Sequence, residues 1–126
     1  MKRNMDLVRK ILLSIEANPE PHDWIFELKI DEFSDKEIAY HVKLLAQAGL
    51  IEASERPLPD FIQWVPHSLT WAGHEFLDAS KDEGRWNKAK KMVLEKTGVI
   101  TFEAMKLVLV ELMRRGVTEA LATVSR

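Results

Sequence analysis

Between Ser34 and Val65 the hydrophobic pattern changes period once, and this narrows the fold more than anything else in the chain. Ser34 is followed three residues on by Glu37, the spacing of a capping box, in which hydroxyl and carboxylate each accept from a backbone N–H at the helix start. Ile38, Val42, Leu45 and Ala46 then fall on one face of a helix that runs to about Ala48, where Gly49 can take the left-handed conformation that ends it. Leu50–Glu55 reads as a strand, residues 56–60 (Arg-Pro-Leu-Pro-Asp) as a turn stiffened by two prolines, and Phe61–Val65 as the returning strand. Pro66 marks an edge or an end of that strand, because proline has no N–H to give a ladder. A helix followed at once by a hairpin is thereby specified.

Helices flank this unit. Val8, Ile11, Leu12 and Ile15 give a first helix over 5–17, with Asn4 or Asp6 as its cap and residues 18–21 (Asn-Pro-Glu-Pro) as its stop. Trp24–Leu28 is a candidate strand. After the hairpin, Thr70 caps a helix to about Ala79, with Trp71, Phe76 and Leu77 as apolar contacts. Asp82 alone, or residues 82–84 (Asp-Glu-Gly), breaks or bends it. A basic helix, Arg85–Lys96, follows, turning Trp86, Ala89 and Val93 inward, with Met92 a further inward candidate. The last helix is Phe102–Arg115, terminated by Gly116; residues 117–126 add a short helix or fray.

The fold class expected is mainly α with a small β-hairpin: a winged helix-turn-helix with extra C-terminal helices. The expected organisation is a core over 1–80 and a helical extension over 81–126 packed on it, a single domain overall. A winged helix normally has three helices before its wing. Here the middle one is short, lies within Ile30–Phe33, or is missing, and that helix ordinarily braces the recognition helix across the DNA backbone.

Four blocks, MKRNMDLVRKILLSIE, YHVKLLAQAGLIEA, WVPHSLTWAGHEFLDAS and RWNKAKK, together resemble domain-of-unknown-function family 2513, found in bacteria and prophages. The resemblance covers nearly the whole chain with the blocks in order. It implies a winged-helix-like fold and a phage or mobile-element setting. It implies no activity, substrate or catalytic residue.

Within that frame Lys36, Tyr40, Lys43 and Gln47 share a helix face away from the apolar stripe. Such a face can enter a major groove, with lysine on phosphate or guanine and glutamine on adenine. His41, beside it, can reach a phosphate or bond within the fold. Arg56, at the hairpin tip, would touch the flanking backbone. The plainer reading is a solvated or protein-binding face. Charge favours the plainer one: residues 21–60 hold nine acids and four bases, and the whole chain carries a net charge of -2. Lys2, Arg3, Arg9 and Lys10, with Arg85, Lys88, Lys90, Lys91 and Lys96, form a second phosphate-facing candidate or simply ordinary surface lysines and arginines.

The last helix is apolar around much of its circumference. Either the domain buries it on two sides, or Phe102, Met105, Leu109, Leu112 and Met113 pair with a second copy or another partner. The four tryptophans read as core and core-edge residues rather than as stacking platforms, with Trp64 the most exposed.

Several classes are disfavoured. With no cysteine there is no disulfide, thiolate nucleophile or Cys-based zinc site. The four histidines include no pair at i,i+3 or i,i+4, so no metal and no cofactor is expected. No Gly-rich phosphate loop or nucleophile elbow points to an enzyme. The start lacks an apolar leader, and no run is long enough to span a bilayer, so a cytoplasmic protein without membrane contact is expected. The expected function is therefore a winged-helix nucleic-acid-binding regulator, dimeric and bound to double-stranded DNA. The alternative is a winged-helix module that binds protein and not DNA.

Overall fold

A computed structural model describes residues 1–19 and 28–124 of the chain. The elements run α1 (Met5–Ala17), α2 (Asp35–Gln47), β1 (Ile51–Pro57), β2 (Ile62–Leu69), α3 (Trp71–Ser80), α4 (Glu83–Thr97) and α5 (Phe102–Val124). The described residues are thus mainly helical with one antiparallel hairpin. It divides into two compact units, Met1–Leu77 and Asp78–Arg126. Of the candidate strand Trp24–Leu28, residues 24–27 lie outside the described residues, as does His22.

In Met1–Leu77, α1 begins where Asn4 Oδ1 accepts from the Asp6 and Leu7 amides, at 2.9 and 3.2 Å. Asp6 adds an acid at the positive end of the helix dipole. Met5 and Leu7 join Val8, Ile11, Leu12 and Ile15 in the core, so the buried face is broader than one stripe. Between 28 and 34 there is no middle helix. Residues 31–33 form a turn, closed by Phe33 N–H donating to Ile30 O at 3.3 Å, with Glu32 left-handed at φ 76°.

The capping box at Ser34 is present: Glu37 N–H donates to Ser34 Oγ and Ser34 N–H to Glu37 Oε1, both at 3.1 Å. Helix α2 buries Ile38, Ala39, His41, Val42 and Leu45, and Ala46 is only half-buried. It ends in a Schellman motif. Gly49, at φ 77°, donates to Ala46 O, and Leu50 donates to Leu45 O, each at 3.0 Å. Leu45 and Leu50 are both buried, the apolar contact that accompanies this cap.

The hairpin pairs Ile51 with Leu69 at its base and Pro57 with Ile62 at its tip. Each strand starts one residue later than expected and runs on beyond its expected end, to Pro57 and Leu69. β2 continues through Pro66 because Pro66 and Ala53 border a register shift after Glu52, and a bulge on a two-stranded sheet asks no ladder N–H of proline.

Thr70 then fastens the hairpin base to the end of α2. Its N–H donates to Leu50 O at 3.0 Å and its hydroxyl to Gly49 O at 2.6 Å, while Thr70 Oγ1 accepts from Gly73 N–H at 3.1 Å. Phe76 and Leu77 are buried as expected, but Trp71 is 82% exposed. As the first residue of α3 it faces outward, whereas the residues at Gly73, Phe76 and Leu77 face in.

The break between α3 and α4 falls at Lys81 and Asp82; in Asp78–Arg126, Asp82 caps α4 by accepting from Arg85 N–H at 2.7 Å, so Glu83 and Gly84 already belong to the first turn of α4. Trp86, Ala89 and Val93 are its buried stripe, and Met92 is exposed. Gly98 at φ 76° ends it. Helix α5 opens at Thr101, whose Oγ1 accepts from Ala104 N–H at 3.2 Å. It does not stop at Gly116 but runs to Val124. Glycine lowers helix propensity without forbidding helical φ, and no proline follows to enforce a stop.

Candidate nucleic-acid interface

The stripe on α2 is on the surface of its unit. Lys36 and Gln47 are exposed, and Tyr40 and Lys43 are half-buried. The opposite side of the helix carries the core residues Ile38, Val42 and Leu45, which fixes the stripe's direction. At the N-terminal end Asp35 is held by Lys29 at 2.9 Å, and Glu37 is engaged in the capping box. Two of the acids closest to the stripe are therefore already compensated or hydrogen-bonded.

His41 does not belong to that face, which corrects the expectation that it could reach a phosphate. It is 1% exposed. Its Nδ1 lies 2.8 Å from Glu37 O, so this nitrogen carries the proton and donates; its Nε2 then accepts from the backbone N–H of Asn4, also at 2.8 Å. Asn4 thus caps α1 with its side chain and ties that cap to α2 with its backbone. The signal was available in the sequence, since residue 41 is three after Ile38 and four before Leu45, an inward position.

Arg56 is exposed near the end of β1, opposite Gln63. The tip is closed by Leu58 N–H donating to Phe61 O at 2.9 Å. Arg56 is accompanied on the hairpin by exposed Glu52, Glu55 and Asp60, so the tip has no net positive field. Trp64 is half-buried opposite Glu55, and Trp71 is the exposed tryptophan of the described residues. His67 is bonded to Ser54 Oγ at 2.7 Å across the strands, and His74 is exposed.

The second basic group is smaller than the sequence suggests. Arg85 is half-buried and donates to the carbonyls of Asp78 and Ala79, at 3.3 and 2.9 Å, so it caps the end of α3. Lys88, Lys91 and Lys96 are exposed on α4, as are Lys2, Arg3 and Lys10 in the other unit. Lys10 stands over the Phe33 ring at 5.7 Å.

On α5, Met105 and Leu109 are fully buried and cannot meet a partner; Phe102, Leu112 and Met113 are half-buried. The apolar side chains that α5 exposes are others: Leu107, Val110, Val117, Leu121 and Val124. Glu111 accepts from Arg114 at 2.6 and 3.0 Å and from Arg115 at 3.3 Å. The bond from Arg114 is the main cause that lowers the Glu111 pKa, and the same bond raises that of Arg114.

Among the described residues no helix is long and apolar enough to cross a membrane, and no group of three His, Asp or Glu could hold a metal ion.

The family described as hypothetical protein (DUF2513) matches residues 2–99. A protein of Haemophilus influenzae (strain KW20 / Rd), described as an uncharacterized protein, is 36% identical over 108 residues, covering 86% of this chain and 92% of its own length. No solved structure matches.

Proposed function

The chain belongs to the DUF2513 family, and from that footing we propose that Met1–Leu77 is a winged-helix-like unit that binds double-stranded DNA, in a cytoplasmic regulator of phage or mobile-element origin. The observation that carries this reading is the outward stripe Lys36, Tyr40, Lys43 and Gln47 on a helix braced from behind and joined at once to a hairpin. Two lysines supply phosphate or guanine contacts, Tyr40 a half-buried aromatic with a hydroxyl, and Gln47 a side-chain amide suited to adenine. Arg56 would reach the backbone beside the groove. The reading needs no catalytic residue and no cofactor.

A second reading is favoured by one specific observation. On the hairpin the exposed Glu52, Glu55 and Asp60 outnumber Arg56, so a basic protein surface suits this face better than phosphate does. In that case the unit is a protein-binding module.

Selection from a random duplex pool, at low and then physiological salt, separates the two. DNA reading gives a motif that persists at the higher salt and is lost in the Lys36→Ala, Tyr40→Ala, Lys43→Ala triple variant, with the salt slope reduced by about two. Absence of any motif, or equal affinity of the triple variant, discards the DNA reading.

A further inference from the structure

We propose that two copies of this chain associate through α5, antiparallel, along the seam Leu107, Val110, Arg114, Val117, Leu121 and Val124. These positions advance by three, four, three, four and three residues, the 3-4 alternation that keeps one seam facing a second helix. The five apolar ones are between 51% and 82% exposed. The seam is distinct from the face that buries Met105 and Leu109, so α5 presents one side to its own unit and a different side outward.

The far half of α5 requires cover. Residues 114–124 are all exposed, and they include Gly116 and the β-branched Val117, Thr118, Thr123 and Val124. They extend a helix already packed over 102–113, and what further packing would add here is burial of Val117, Leu121 and Val124, which are 60%, 62% and 82% exposed.

The seam's own order says that a second copy supplies that packing. Turned end for end about the point between Arg115 and Gly116, it meets itself in register. Leu107 faces Val124 of the second copy, Val110 faces Leu121, and Arg114 faces Val117. Each layer sets one larger side chain against a valine. A parallel pair would instead stack Arg114 on Arg114. In the antiparallel pair each Arg114 charge is met by Glu111 of its own helix, and its methylenes lie against a valine. At about 60–120 Å² for each aliphatic side chain covered, five of them bury on the order of 500 Å² per copy. Two copies reach about 1,000 Å², the lower bound for a specific interface, so the dimer is reversible and concentration-dependent. This assembly stands whether or not Met1–Leu77 binds DNA.

Sedimentation equilibrium of the full chain, from micromolar to millimolar, tests it. The expected result is a monomer–dimer equilibrium, with the dissociation constant raised roughly 100-fold or more in Val110→Asp and in Val117→Asp, because each change removes two buried valines per dimer. The absence of native cysteine makes orientation a clean second measurement. A mixture of Leu107→Cys and Val124→Cys chains forms the mixed disulfide in the antiparallel pair, whereas Val124→Cys alone stays uncrosslinked. A monomer throughout, unchanged dimerisation of both aspartate variants, or Val124→Cys crosslinking to itself overturns the proposal.

Discussion

His41→Phe is the sharpest perturbation of the α1–α2 junction, because it keeps an aromatic ring in a buried site and removes both polar contacts. Two losses follow. The Asn4 N–H loses the acceptor it has in His41 Nε2, and a part-buried amide left unsatisfied costs about 1–3 kcal/mol. The bond from Nδ1 to Glu37 O also goes, costing about 0.5–1.5 kcal/mol, although that carbonyl remains inside α2. The more apolar ring recovers up to about 1 kcal/mol. The net destabilisation is then about 2–3 kcal/mol. With a urea m-value of about 1–3 kcal/mol/M, the unfolding midpoint falls by roughly 1–2 M. Hydrogen exchange supplies the local readout: the Asn4 amide loses its protection, followed by the first turn of α1. On the proposed DNA-binding reading, the folded variant keeps the wild-type affinity for duplex DNA, unlike Lys43→Ala. A destabilisation below about 0.5 kcal/mol, or an Asn4 amide that remains protected, refutes the reasoning that His41 is a clasp between helices.

Two glycines give opposite outcomes. A Cβ at Gly73 would run into the carbonyl of Leu50, a backbone atom that cannot move aside without breaking the Thr70 bonds. Gly73→Ala is therefore expected to cost about 3 kcal/mol or more by the overpacking it forces, read as a fall in thermal midpoint. Gly116 lies within α5 with nothing near its would-be Cβ. Gly116→Ala should stabilise by about 0.5–1 kcal/mol and raise helical circular dichroism; a loss of stability would refute the reading of Gly116 as an ordinary interior position of α5.

The elements legible in the sequence are those with local causes. Ser34 and Glu37, and Gly49 after an apolar stripe, define α2 because a cap needs only the residues beside it. The hairpin follows from the change of period after Gly49. Misplaced bounds trace to residues whose effect depends on what lies opposite. Pro66 ends a strand only where its missing N–H is needed, and here it borders a bulge. Gly116 stops a helix only if the chain takes up a left-handed turn there, and here it continues. On the candidate face, Lys36, Tyr40, Lys43 and Gln47 were legible from spacing alone. The inward position of His41 is legible from its spacing between Ile38 and Leu45, but the clasp it makes is not, because the backbone N–H that donates to it lies 37 residues away. The exposed seam of α5 was hidden by the expected stop at Gly116, which cut a six-position repeat after its third member.

Thr70 has a further consequence. Its bonds to Gly49 and Leu50 bring together two points of the backbone some twenty residues apart, and so close the hairpin into a ring. Many small domains close such rings with a disulfide, which a reducing environment opens. This closure is made of one hydroxyl, one backbone N–H and two carbonyls, so it is indifferent to redox potential. It also isolates the tip from the base: because closure cost rises only slowly with length, residues added between Pro57 and Ile62 change the reach of the hairpin while leaving α2 and α3 as they are. Relatives of this chain can therefore differ in how far the arm extends without redesigning the body that carries it.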